Sequence, residues 1–455
     1  MKLTHISDNT HAPSGRILLI FAGWGMDTHP FSTLTRDDYD LWVAYDYASP
    51  EPTDETPLKS ASEICVLAWS FGVIEAARFI ISHPHLPITL KVAVNGTHHP
   101  VDDNRGIPES IFQGTLDGLS EQSLLKFYRR MCGSQAATAQ FLATRPHRSI
   151  NSLRDELLHI ASLPHTDEQN VSWDTVFISR YDRIIPCDNQ QRAWAMHLDV
   201  RLTDSNHLPD FSDIIASTVT HKPMVARRFI RAASSYEANA SVQRIVAAHL
   251  SELWRNMQPS EEAQTVVEAG AGTGLLTNEY LKWASPTNLT LWDLAELQHT
   301  LPGHHEQCDA ETSIRNLATN SIDAIASASV IQWFDSPISF IHQCMRVVRP
   351  GGIIAIATYG PDNMKELIPF APSPAHYLSA ETWRKALQDE HAEISISEDR
   401  HSIAFDTPSQ LLRHLRLTGV NTSVSTRSLS AARSILSSSI REITYHPIYI
   451  VIRMK

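Results

Sequence analysis

Val266-Val267-Glu268-Ala269-Gly270-Ala271-Gly272-Thr273-Gly274-Leu275-Leu276 decides how the second half of this 455-residue chain reads. An apolar run with the character of a strand ends on an acid, three glycines follow at alternate positions, and a helix-forming run (Leu276 to Ala284) comes next. Glycine at such a corner lets the backbone turn sharply and lets a ligand approach the main chain. The helix start beyond it presents unpaired N–H groups. The spacing is not the G-x-G-x-x-G of dinucleotide folds, and no Lys-Ser/Thr follows as in a phosphate-binding loop.

An acid followed by three alternating glycines, placed after a first strand, resembles motif I of the class I S-adenosylmethionine methyltransferases. The competing reading is a tight strand-to-helix turn in some other α/β domain. Later features fall where the methyltransferase family needs them. Leu289 to Asp293 is an apolar strand ending in an acid, and the Asp293 carboxylate there can accept both ribose hydroxyls. Asp309, followed by Ala310, suits a grip on the adenine amine through its carboxylate and a neighbouring backbone N–H. Glu268, Gly270, Gly272 and Gly274 complete the expected cofactor set. Ile322 to Ser329 reads as a strand leading into Gln332-Trp333-Phe334. A helix from Pro337 to Val348 is stopped by Arg349-Pro350-Gly351-Gly352, which opens the strand Ile353 to Ala357. Tyr445 to Arg453 reads as a last strand, with Pro447 marking a start, a bulge or an edge.

Upstream, Val242, Ile245, Val246, Leu250, Leu253 and Trp254 recur at helical spacing, which is the pattern of a core stripe. Tyr236 in Tyr-Glu-Ala-Asn-Ala, the Ser329 to Phe334 segment, and Thr358 to Leu367 with its Gly-Pro-Asp-Asn run resemble the BioC-type malonyl-[acyl-carrier protein] O-methyltransferases. The resemblance covers about residues 222 to 455. It implies an active-site role for Tyr236, near the methyl group and the substrate carboxylate.

The first half reads as strands alternating with helices, hence a mostly parallel sheet. Arg16 to Phe21, Leu41 to Tyr45, Ile64 to Trp69, Lys91 to Val94, Thr175 to Ile178 and Val200 to Thr203 are the strand candidates. Ala68-Trp69-Ser70-Phe71-Gly72 looks like a nucleophile elbow, with alanine in place of the usual first glycine. Taken alone it is as readily a serine helix cap. Asp182 and His207 each lie just past a later strand candidate, and Ser, Asp, His is the α/β-hydrolase chain order. In that reading His207 takes the Ser70 proton, Asp182 orients the imidazole, and backbone N–H groups of Trp24 and Phe71 form the oxyanion hole.

Between Asn95 and Pro164 the alternation breaks into amphipathic helices (Glu109 to Gln113, Glu121 to Cys132, Ala136 to Ala143, Ser152 to Ser162), read as a cap over the sheet at about 98–164. It carries Lys126, Arg129, Arg130, Arg145 and Arg148. Each alone is a solvated helix face, but together, beside an active-site mouth, they would meet an acidic carrier. Phe21 to Met26, Trp69 to Gly72, Asn95 to Thr97, Gly106 to Pro108 and Phe127 to Cys132 together resemble the BioG-type pimeloyl-[acyl-carrier protein] methyl ester esterases. That resemblance spans the first half and implies the triad Ser70, Asp182 and His207. Ala22 stands where other hydrolases carry a histidine before the oxyanion glycine.

The expected architecture is therefore α/β in two domains: a hydrolase at 1–216 with a helical cap, and a Rossmann-like methyltransferase at 222–455. Five scattered cysteines without a CxxC pair argue against a disulfide framework or a metal site. The N-terminus lacks an apolar signal core and no run reaches membrane-spanning length, so a soluble cytoplasmic enzyme is expected. Net charge of −12 disfavours nucleic acid. The two resemblances imply S-adenosylmethionine as methyl donor and acyl carrier protein, bearing malonyl or pimeloyl methyl ester groups, as partner. The rivals are a methyltransferase for another carboxylic acid joined to an unrelated esterase or thioesterase, and a hydrolase-like module that only binds carrier protein.

Overall fold

The structure, a computed structural model, describes residues 1–6, 15–36, 38–51, 53–163, 171–220, 222–257, 264–296, 301–370, 377–418 and 428–455, and the structural statements below concern these. The chain divides into two compact units, Met1–Thr218 and Val219–Lys455.

The first unit runs β1 (Lys2–His5), β2 (Arg16–Phe21), β3 (Asp40–Tyr45), α1 (Thr56–Lys59), β4 (Glu63–Trp69), α2 (Gly72–Ser82) and β5 (Ile88–Val94). Four helices follow, α3 (Glu109–Asp117), α4 (Glu121–Cys132), α5 (Gln135–Ala143) and α6 (Ile150–Ser162). Then come β6 (Thr175–Ser179), α7 (Cys187–Ala193), β7 (Val200–Thr203) and α8 (Phe211–Thr218). Its strands form one sheet in the order β1-β3-β2-β4-β5-β6-β7, parallel except for β1 against β3. Every residue of β4 is buried, as the apolar run Ile64–Trp69 in a sheet covered on both faces should be, and Glu63 at its start is paired with Arg16. The sequence did not announce β1: Lys2-Leu3-Thr4-His5 is short, polar and only half-buried, so no periodicity marks this edge strand.

The second unit runs α9 (Lys222–Asn239), α10 (Ser241–Met257), β8 (Thr265–Ala269), α11 (Leu275–Tyr280), β9 (Asn288–Asp293), β10 (His304–Gln307), α12 (Ala310–Asn316), β11 (Ile322–Ala328), α13 (Pro337–Val347) and β12 (Val348–Tyr359). It closes with α14 (Ala380–Ala386), β13 (Ala392–Glu398), β14 (His401–Ala404), α15 (Pro408–Leu417), α16 (Ser428–Leu436), β15 (Glu442–Tyr445) and β16 (Pro447–Met454). The main sheet has the order β10-β9-β8-β11-β12-β16-β13, with β16 antiparallel to both neighbours, a doubly wound, Rossmann-like α/β pattern. β8 lies between β9 and β11, so the chain reverses direction across the sheet there. Ligands of open α/β sheets bind at the carboxyl ends of strands flanking such a point.

Some elements differ from expectation. α11 stops at Tyr280 rather than Ala284, where Ala284 N–H turns back to the Tyr280 carbonyl just before Pro286. The single last strand expected from Tyr445 is two, β15 and β16, split at His446. Pro447 begins the second, where its lack of an N–H does least damage. No described helix is long and apolar enough to cross a membrane.

Candidate functional sites

Backbone strain marks the first site. Ser70 sits at φ +57° between β4 and α2. A Cβ on Gly72 would lie 2.3 Å from the Phe21 carbonyl oxygen, so only glycine lets α2 start against β2. Serine held in the left-handed region by surrounding structure is strain of the kind that clusters at reactive centres. His207 Nε2 lies 2.9 Å from Ser70 Oγ, and His207 Nδ1 lies 2.8 Å from Asp182 Oδ2. All three residues are buried.

Other side chains hold this series in place. Ile184 and Ile185 N–H donate to Asp182 Oδ1 (2.8 and 2.9 Å), and Gln190 Nε2 donates to Oδ2 (2.9 Å). Asn95 Nδ2 donates to the His207 carbonyl (2.9 Å), while its Oδ1 accepts from Ser179 N–H (2.8 Å). The Trp69 indole N–H also reaches the His207 carbonyl (2.8 Å). Gln190 and Asn95 carry no sequence signal for this role, because an amide reports its partner only once the loops converge. Within the described residues, the main-chain N–H groups of Trp24 and Phe71 donate no hydrogen bond.

A cavity of about 490 Å³, open mouth included, adjoins Ser70 and His207 and is lined mainly by apolar groups such as Ile111, Phe112, Phe127 and Leu157. Lys126, Arg129 and Arg130 are exposed on α4, and of these Arg130 lines the cavity. Arg148 departs from its sequence reading as a carrier contact. Its side chain is only 6% exposed and pairs with Glu156 and Asp46 inside the unit.

The second site is built at the carboxyl ends of β8 and β9. Gly270, Gly272 and Gly274 all have positive φ (72°, 55° and 86°). A Cβ on Gly270 would strike Val330 at 2.3 Å, and one on Gly274 would strike Leu301 at 2.4 Å. At Gly272 the nearest atom is 4.0 Å away, so that glycine faces open space. Gly270 and Ala271 N–H donate to the Trp292 carbonyl (2.8 and 3.0 Å), and Gly272 N–H donates to Asp293 Oδ2 (2.9 Å). Burial pushes the Asp293 carboxyl up, while the N–H groups of Ala295 and Gly272 pull it back down.

The carboxylate of Glu268 is taken by the hydroxyls of Thr277 (2.7 Å) and Tyr280 (2.9 Å). Burial raises its pKa to about 7 despite those two bonds. Asp309 Oδ1 accepts from Glu311 N–H and so caps α12, next to Ala310. Lys222, almost fully buried, places its ammonium 2.7 Å from Asp309 Oδ2 and 2.6 Å from Glu311 Oε2. In the sequence Lys222 reads only as the first of a short basic run with Arg227, Arg228 and Arg231, which carries no sign of these partners.

Lys222, Glu268, Gly270, Gly272, Asp293, Asp309 and Ala310, but not Gly274, line a cleft of about 1070 Å³, mouth included, together with Val225, Phe229 and Tyr236 from one face of α9. Tyr236 lies among apolar groups, and burial together with the Asp293 charge raises its phenol well above the ordinary value. Thr273 Oγ1 and Trp333 Nε1, both of cleft-lining residues, are buried without a partner among the described residues. Unmet polar groups beside a carboxylate ready to accept, and beside an open glycine backbone, fit a polar ligand with hydroxyls and an amine.

Comparison with known proteins matches each unit. Residues 1–218 match the family described as pimeloyl-ACP methyl esterase BioG, and residues 267–356 match a methyltransferase domain family. A malonyl-[acyl-carrier protein] O-methyltransferase of Bacteroides fragilis is 33% identical over 96% of this chain and 93% of its own. One of Haemophilus influenzae is 28% identical over 52% of this chain and 96% of its own. A crystal structure of BioG from Haemophilus influenzae is 30% identical, with a TM-score of 0.41 over 46% of this chain and 94% of that one.

Proposed function

Because the chain belongs to the malonyl-[acyl-carrier protein] O-methyltransferase family, we propose that it is a two-activity cytoplasmic enzyme that caps and later uncaps a carboxylate in biotin-precursor synthesis. The second unit esterifies the free carboxylate of malonyl-acyl-carrier protein. The first unit, an α/β-hydrolase, cleaves the methyl ester of pimeloyl-acyl-carrier protein. The single observation that carries the two-activity reading is the hydrogen-bonded series Ser70, His207, Asp182 within a chain of a methyltransferase family.

S-adenosylmethionine supplies an electrophilic methyl group on a sulfonium centre. Asp293 would accept from its ribose hydroxyls, Asp309 and the Ala310 N–H would hold the adenine edge, and the glycine loop would let the main chain come close. The acceptor carboxylate is ionised at neutral pH, since such groups titrate near ~4. No general base is required, and the protein supplies approach and alignment. Tyr236 stays protonated and donates to the acceptor carboxylate, orienting one oxygen toward the methyl.

In the first unit Ser70 Oγ attacks the ester carbonyl while its proton passes to His207 Nε2. The N–H groups of Trp24 and Phe71 receive the negative oxygen. Methoxide leaves with the proton from His207 as methanol. Water, deprotonated by the same nitrogen, attacks the acyl carbonyl; as the acyl–Oγ bond breaks His207 returns its proton to Ser70 Oγ, and the freed acid loses a proton to solvent as a carboxylate. Asp182 stays ionised and steadies the imidazolium. The apolar cavity suits the methylene chain of the pimeloyl group, and exposed Lys126, Arg129 and Arg130 suit an acidic carrier. The ester made by the second unit removes a charge whose burial would be costly during chain elongation.

The test is to supply S-adenosylmethionine and malonyl-carrier protein and follow ester formation by mass, then to supply pimeloyl-carrier methyl ester and follow methanol release. Transfer without hydrolysis would reduce the first unit to a carrier-binding module. Equal kcat/KM on malonyl and pimeloyl methyl esters would defeat the capping logic.

A further inference from the structure

One buried carboxylate grips both the loop after β2 and the turn after β3. Glu156, on α6, is wholly shielded from solvent. Its Oε2 accepts from Gly25 N–H (3.0 Å) and its Oε1 from Tyr47 N–H (3.1 Å). Arg148 Nη1 donates to Glu156 Oε2 (2.6 Å), and Arg148 Nη2 donates to Asp46 Oδ1 (2.7 Å).

The loop Gly23–Asp27 makes little structure of its own. Its only internal main-chain bond among the described residues is Met26 N–H to the Gly23 carbonyl, at 3.3 Å. It is held from α6 and the residues before it: the Trp24 indole N–H donates to the Leu153 carbonyl (2.9 Å), and His147 N–H donates to Asp27 Oδ2 (2.7 Å). A buried ion pair is weak evidence for stability, because apolar side chains of similar volume often serve as well. It does fix direction, since a carboxylate holds each N–H at a set distance and angle.

We propose that Glu156 is a positioning residue for ester hydrolysis: through the Gly25 N–H it fixes the adjoining Trp24 main-chain N–H where the oxyanion of the tetrahedral intermediate forms. The assignment rests on the reading of Ser70 as nucleophile and of Trp24 and Phe71 as oxyanion donors. Loss of one oxyanion donor typically costs about 10²–10³ in kcat, and displacement by an ångström costs up to about 10².

The experiment uses the full chain and its Glu156→Gln variant. Three quantities are measured: kcat and KM on pimeloyl-carrier methyl ester, the affinity of a trifluoromethyl ketone that forms a tetrahedral adduct with Ser70, and the affinity of the matching unreactive ether. Methyl transfer by the same chain reports its integrity. The expected result is a fall of about 10- to 100-fold in kcat with KM little changed. Ketone affinity should fall in proportion while ether affinity stays at the parent value. Parent-level hydrolysis in Glu156→Gln, or equal losses for ketone and ether, overturns the assignment. If Glu156→Gln does not accumulate as folded protein, Glu156→Asp decides. It keeps the charge beside Arg148 but draws the carboxylate one methylene back from the Gly25 N–H, and parent-level ketone binding there overturns the proposal. A parent chain that cleaves no ester overturns the hydrolase reading itself, an outcome distinct from a variant that matches an active parent.

Discussion

His207 Nε2 and Ser70 Oγ stand 2.9 Å apart although 137 residues separate them in the chain. The four helices α3–α6 lie between them in sequence, and the histidine loop is tied back by Leu208 N–H to the Met131 carbonyl at the end of α4. Substituting Ser70→Ala should lower ester hydrolysis by about 10⁴- to 10⁶-fold. Methyl transfer to malonyl-carrier protein should remain at the parent rate. Steady-state assay of both reactions in one preparation checks this, and a matching loss of transfer would contradict it.

Gly272 carries φ +55° and faces open space in the cleft. Gly272→Asp strains the backbone and sets a second carboxylate beside Asp293, which the Gly272 N–H now holds at 2.9 Å. Calorimetric titration should find S-adenosylmethionine binding weakened at least about 100-fold, a loss of nearly 3 kcal/mol. Labelling of Ser70 by a fluorophosphonate should be unchanged.

Lys222 lies between Asp309 and Glu311 with almost no exposure. Lys222→Met removes the cation from three carboxylates that face it, buried Glu311 and Asp335 (3.7 Å) and half-buried Asp309. The second unit should lose about 3 kcal/mol or more in urea denaturation, and adding Glu311→Gln should recover part of that loss. A Lys222→Met protein as stable as its parent would show that the ammonium is not what balances these acids.

Glu268 binds its proton more tightly folded than unfolded, because burial lifts its pKa to about 7 from the 4.5 of a free glutamate. Between those values the folded state holds the extra proton, so this contribution to stability is complete below about pH 4.5 and is lost as pH rises through 7. Glu268→Gln keeps an acceptor for Thr277 and Tyr280 without the charge. Relative to the parent, it should gain up to about 3 kcal/mol between pH 5 and pH 8. Denaturation curves for both proteins across that range check the sign.

Tyr236→Phe tests the orienting hydroxyl. S-adenosylmethionine affinity should hold, while kcat for methyl transfer falls about tenfold, the worth of one hydrogen bond of roughly 1.4 kcal/mol in the transition state. An unchanged kcat would remove Tyr236 from the reaction.

The local demands of the backbone were written in the residues. An unbroken apolar run such as Ile64–Trp69 must be buried on both faces, and a corner such as Ser70-Phe71-Gly72 or Gly270–Gly274 can be built only by residue types that tolerate positive φ or close contact. From these alone the two sheets, their order along the chain and the loops bearing Ser70, Asp182, His207, Asp293 and Asp309 could be read. Short polar strands such as Lys2–His5 and His304–Gln307 could not, because periodicity reports burial and these are half-buried or exposed.

What only the tertiary structure decided is which polar group answers which. Arg148 looked like one more surface cation until it met Glu156 and Asp46, and Lys222 like part of a basic run until it met Asp309 and Glu311. A charge or an amide carries no trace in sequence of its eventual partner. Its energy depends on distance and on how much water is excluded, and both are fixed only when segments far apart in the chain close on one another.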